Sequence, residues 1–152
     1  DDFARRVEDE VMIGESLLIA PVYEQNARGR YVYLPEEMLQ VRVKCSESNR
    51  IETSVLPAGH HYIPVELDEV VFFVRKGHIL PLAKGGKKIQ NVADVDFADL
   101  RLLAYAPDGA SYEYYTDDGE TKDYDKPEHF VQITLDADGN AKSDRATVKV
   151  EG

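Results

Sequence analysis

The chain of 152 residues is long enough for one domain with a sizeable core, or for two small ones of roughly 70 residues each. Its 29 acidic against 18 basic residues give a net charge of −11, a field that repels nucleic acid and anionic membrane surfaces alike. No run approaches the ~20 apolar residues of a membrane-spanning helix, and the single cysteine, Cys45, excludes an internal disulfide and favours a reducing, cytoplasmic compartment.

Residues 1–13 read as a helix. Phe3, Val7 and Val11 recur at four-residue steps on one face, Asp2 can cap the start, and Gly14 can end it in a left-handed conformation. The chain begins Asp1-Asp2 without an initiator methionine, as a processed or excised piece would. After Gly14 the punctuation is that of a β protein. Leu17 to Val22 is a short apolar run. Tyr31-Val32-Tyr33-Leu34 alternates, with tyrosines on one face and Val32 and Leu34 on the other. Glu69 to Arg75 holds five consecutive apolar residues, as a strand covered on both faces would. Two strands, Leu100 to Ala106 and Ser111 to Thr116, flank Pro107-Asp108-Gly109, which reads as a hairpin turn. Asp118-Gly119 and Asp138-Gly139 are further turns, and His129 to Leu135 and Ala146 to Val150 complete the strands. Turn signals at such short intervals indicate sandwiches, not βαβ units. The Lys84-Gly85-Gly86-Lys87-Lys88 stretch marks a joint near residue 84.

Candidate chemistry is sparse. His60 and His61 point to opposite faces of a strand and would not converge on one metal ion. Asp136-Ala137-Asp138-Gly139-Asn140 imitates the start of a calcium loop, but position twelve is Thr147 instead of Glu, so a hairpin turn is the better reading. Asp117, Asp118, Glu120, Asp123 and Asp125 crowd one loop that could hold a cation, although it lacks the apolar neighbours a general acid needs. Tyr112 and Tyr114 share a face that could stack a sugar, against the plainer role of cross-strand packing. Cys45 has no histidine nearby to activate it. No nucleophile, base and oxyanion donor come together, and no cofactor is implied.

Four landmarks in order carry a resemblance. Val7 to Val22 (VEDEVMIGESLLIAPV), Arg28 to Pro35 (RGRYVYLP), Leu67 to Pro81 (LDEVVFFVRKGHILP) and Tyr115 to Glu120 (YTDDGE) resemble segments of the family 31 glycoside hydrolases, the α-glucosidase and α-xylosidase family. The chain departs from the family pattern in Val71, often proline there, and in the absence of tryptophan from residues 36–49. The resemblance implies a C-terminal piece lacking the catalytic (β/α)8 barrel. Its architecture would be all-β: a helix over 1–14 left from the barrel, a proximal β-sandwich over 15–83 and a distal β domain over 84–152. In the family two aspartates on the barrel hydrolyse α-glycosidic bonds with retention. Neither motif occurs here, so no catalytic residue carries over.

The expected role is then mechanical. Phe3, Val7, Val11, Met12, Leu17 and Leu18 would face the missing barrel, and the oligosaccharide substrate would be met only by the parent enzyme. Covering some 400 Å² of apolar surface at about 25 cal/mol per Å² is worth on the order of 10 kcal/mol before entropic costs. Isolated, the piece would expose that patch and self-associate through it. Two rival readings stand beside it: an independent carbohydrate-binding sandwich using Tyr112 and Tyr114, and an adhesin-like or calcium-stabilised β domain.

Overall fold

The computed structural model describes residues 2–47, 50–83, 100–117, 120, 122 and 125–143, and within them the protein is all-β. The chain divides into two compact units, Asp1–Lys76 and Gly77–Gly152. Every strand pairing among the described residues is antiparallel.

The first unit is a sandwich. Strands β1 (Val11–Ile13), β2 (Leu17–Ile19), β4 (Met38–Lys44), β5 (Arg50–Leu56) and β7 (Glu69–Arg75) form one sheet in the order β1-β2-β7-β4-β5, while β3 (Gly29–Leu34) pairs with β6 (Gly59–Pro64). Leu18, Met38 and Phe73 from the larger sheet meet Val32, Leu34 and Ile63 from the smaller one in a single buried cluster. The alternation over Tyr31–Leu34 is realised as expected: Val32 and Leu34 are buried and Tyr31 is exposed. Strand β7 runs between β2 and β4, which is why Phe73 and Val74, on opposite faces, are both buried.

Between β4 and β7 charge enters this sandwich. Across β4 and β7, Lys44 stands opposite Glu69 and Arg42 opposite Val71. The Glu69 carboxylate is 4% exposed, accepts a hydrogen bond from Arg42 and lies 3.6 Å from the Lys44 Nζ. Burial by itself would raise its pKa, but the Glu66 N–H, Arg42 and Lys44 overcome that and hold it below the usual carboxylate value. Gly29 permits the close approach of β3 and β6. Its φ is 150°, and a Cβ there would sit 2.3 Å from the Ile63 carbonyl oxygen.

The helix expected over residues 1–13 is not formed. A single 3-10 turn covers Ala4–Arg6, and Val11–Ile13 becomes an edge strand paired with β2. The four-residue spacing was met, yet β-branched Val11 and Ile13 gain a ladder of backbone hydrogen bonds that an isolated short helix cannot match. Gly14 does take a positive φ of 59°, in the β1–β2 turn instead of at a helix end.

In the second unit β8 (His78–Ala83) pairs with β9 (Leu100–Tyr105), and β10 (Ala110–Tyr115), β11 (Phe130–Leu135) and β12 (Ala141–Ser143) form a three-stranded sheet. Ile79, Val131 and Ile133 are its buried apolar residues among those described. Strand β8, expected within a 15–83 sandwich, thus falls in this unit; the joint expected at 84–88 lies outside the described residues, as does the strand expected over Ala146 to Val150. The turn at Pro107-Asp108-Gly109 forms, with the Gly109 N–H donating to the Ala106 oxygen, but its flanking strands pair elsewhere. Proline fixes a negative φ at the first central position, so the turn cannot be one of the primed types that close a tight hairpin. Asp138-Gly139, without that constraint, does join two paired strands, β11 and β12.

Candidate functional site

The outer side of β3–β6 is a shallow groove of about 500 Å³, lined by Phe3, Arg6 to Glu10 and a row of aromatic residues that includes Tyr23, Tyr31, Tyr33 and His60. Register places Tyr31 opposite Tyr62 and Tyr33 opposite His60, so all four side chains share the face turned from the core. The Tyr31 and Tyr62 rings meet edge to face at 5.2 Å and are 72% and 53% exposed. The 3-10 turn lays Phe3 over the other pair, 4.6 Å from both the Tyr33 and the His60 ring centroids.

The polar floor is held by internal bonds. Arg30, its side chain 11% exposed, pairs with the Asp9 carboxylate at 2.5 Å and donates to the backbone oxygens of Asp9, Pro21 and Tyr31. Its guanidinium also lies 5.6 Å from the Tyr23 ring centroid, and the Tyr23 hydroxyl reaches Asp9 at 3.4 Å. Glu10 accepts the Tyr33 N–H at 2.7 Å, fixing the entry of β1 against β3. Burial raises the Glu10 pKa above the usual 4.5, and the Asp9 charge adds to the rise. The Tyr33 N–H, Arg30 and His60 oppose it without cancelling it. Both carboxylates are engaged in holding the groove together. What the groove offers a visitor is ring faces and edges.

The residues expected to face a barrel scatter. Phe3 lies in the groove and Val7 lines it; Val11 and Met12 are exposed on the edge strand, and Leu17 is half-buried. Leu18, however, is 4% exposed and belongs to the chain's own core, so it is unavailable to any partner. Sequence reasoning missed Tyr23, Tyr62, Arg30 and Glu10 as members of one surface, since only the β3–β6 pairing and the path of residues 2–10 bring them together.

The other candidates resolve locally. His60 meets Phe3 edge to face in the groove, while the His61 Nε2 is 2.8 Å from the Pro57 oxygen. Tyr112 and Tyr114 are half-buried opposite Ile133 and Val131, the packing role and not an open sugar platform. The Asp136 carboxylate accepts from the Asp138 and Asn140 N–H groups at 3.0 and 2.8 Å and from the Asn140 side-chain amide, bonds that lower its pKa and build the hairpin turn. Asp117 accepts from the Tyr115 hydroxyl at 2.5 Å; Asp118 and Asp123 of the proposed cation loop lie outside the described residues. Cys45 is exposed.

Residues 1–80 match the family described as Glycosyl hydrolase family 31 C-terminal domain. The chain is 32% identical over 134 residues to an α-xylosidase of Saccharolobus solfataricus, which covers 86% of this chain and 17% of that protein. It is 30% identical to neutral α-glucosidase AB of Mus musculus, over 82% of this chain and 13% of the other. Among solved structures, a family 31 α-xylosidase from Xanthomonas citri superposes with a TM-score of 0.63 at 26% identity, over 89% of this chain and 14% of that one. A family 31 dextranase of Flavobacterium johnsoniae gives 0.63 at 25%, over 90% and 16%. The chain therefore spans less than a fifth of each of these proteins, and within that part it belongs to glycoside hydrolase family 31.

Proposed function

We propose that this chain is the non-catalytic C-terminal portion of an α-glucosidase-like enzyme, and that it packs on and stabilises a catalytic (β/α)8 barrel. The observation that carries the reading is the family match over residues 1–80, joined to the 13 to 17% share of two glycosidases that the chain covers. The geometry of the groove supports it. Asp9 and Glu10 are adjacent in sequence, one neutralised by Arg30 and the other bound to a backbone N–H, an arrangement unlike the opposed pair, roughly 5 Å apart, that retaining hydrolysis requires.

The chain alone is expected to leave a chromogenic α-glucoside unhydrolysed over a long incubation. Turnover by the pure chain that disappears in Asp9→Asn or Glu10→Gln would overturn the reading. A gene whose sequence upstream of Asp1 encodes no barrel would do the same.

A further inference from the structure

Building on that reading, we infer that the barrel sits on the aromatic outer face of β3–β6, against Tyr31, Tyr62, Tyr23 and Phe3, and not on the apolar run of Met12 to Val22 or on the far side of the larger sheet. Three observations select this face. First, Phe3 and Arg6 to Glu10 line the groove, so chain preceding Phe3 in a longer enzyme approaches this surface. Second, large aromatic side chains are gathered here and exposed: Tyr23, Tyr31, Tyr62 and Phe3 are all open to solvent in the isolated chain. Such rings supply most of the affinity at the centres of protein interfaces. Third, the far side of the five-stranded sheet already buries Val41 and Val74 and exposes Val11, Ile13, Val55 and Val70 only around them.

Other occupants fit less well. A sugar needs a flat ring and spare directional hydrogen-bonding groups. Here the Tyr31 and Tyr62 planes stand at 66° to each other, and Arg30, Asp9 and Glu10 already hold internal partners. A second copy of this chain would bring together two bodies each of charge −11. A barrel docked on the groove leaves the Asp9–Arg30 pair intact, because that pair needs no outside charge.

Hydroxyl-radical footprinting of this chain and of the full-length enzyme that contains it decides the matter. Tyr31 and Tyr62 should react freely in the chain alone and on the order of tenfold more slowly in the full-length enzyme, as buried interface rings do. Val55 and Val70 should react alike in both. Protection of Val55 and Val70 with Tyr31 and Tyr62 unchanged would overturn the assignment of the face while leaving the bracing role standing. So would protection of the tyrosines in the isolated chain by isomaltotriose, or by raising its concentration. In the full-length enzyme, Tyr31→Ser with Tyr62→Ser should hasten thermal inactivation, whereas Val55→Ser with Val70→Ser should not; the reverse order would again overturn it. An upstream sequence without a barrel instead removes the reading on which this inference rests.

Discussion

Strand β3 has two faces, and they differ in burial and in chemistry. Its inner side, Val32 and Leu34, is 2% and 0% exposed and closes the core with Phe73. Its outer side, Tyr31 and Tyr33 with Tyr62 and His60 opposite, forms the aromatic groove. An ordinary antiparallel sandwich strand turns polar groups to water on its outer side. Tyrosine is the compromise of a surface that is wet in one state and dry in another, because its ring gains from burial and its hydroxyl from water.

The comparison breaks most severely from the inner side. Phe73→Ala empties the centre of the cluster and should cost about 3–5 kcal/mol in chemical denaturation, enough to unfold much of the first unit. Gly29→Ala forces a Cβ against the Ile63 carbonyl and should cost about 1–3 kcal/mol, with amide exchange in β3 and β6 rising first. On the outer side, Tyr31→Ser with Tyr62→Ser should cost the isolated chain no more than about 1 kcal/mol, the worth of one edge-to-face ring pair. A loss as large as that of Phe73→Ala would mean that the outer face is core after all.

The smallest effects lie in two glutamates of opposite sign. Glu10 has a raised pKa, so its contribution to stability is present below the unfolded value of 4.5 and is lost as pH rises through the folded value. Glu10→Gln should therefore raise the denaturation midpoint at pH 7, with the gain vanishing below pH 4.5. Glu69 has a lowered pKa, so its contribution is present above 4.5 and is lost as pH falls through the folded value. Glu69→Gln should lower the midpoint at pH 7 and lose its effect in acid. Equal pH dependence in the two variants would contradict the burial of one and the ion pairing of the other.

Much of the fold was legible where the side-chain pattern and the backbone agree. The alternation at residues 31–34 and the Asp138-Gly139 turn appear where the residues place them, and β7 is covered on both faces at Phe73 and Val74 but exposed at Val70. Strands β4, β5 and β6 left a fainter trace. In β4, Leu39, Val41 and Val43 alternate with Gln40, Arg42 and Lys44, but the charged set shares the face of core residue Met38 and is made tolerable only by Glu69, distant in sequence. The groove was half legible. Tyr31 and Tyr33 declared a shared face, while Tyr62 and His60 join them only through strand pairing, and Arg30 is tied to the surface by its bonds to Asp9.

From its residues alone the protein is committed to short strands, to a family and to an interior built on Val32, Leu34 and Phe73, because period-two alternation and turn chemistry act over a few neighbours. Which strands pair, whether Val11 joins a helix or a sheet edge, and which apolar residues stay uncovered were settled only by the tertiary structure. Those outcomes depend on contacts between residues far apart in the chain, where a ladder of hydrogen bonds or a buried ion pair outweighs local preference.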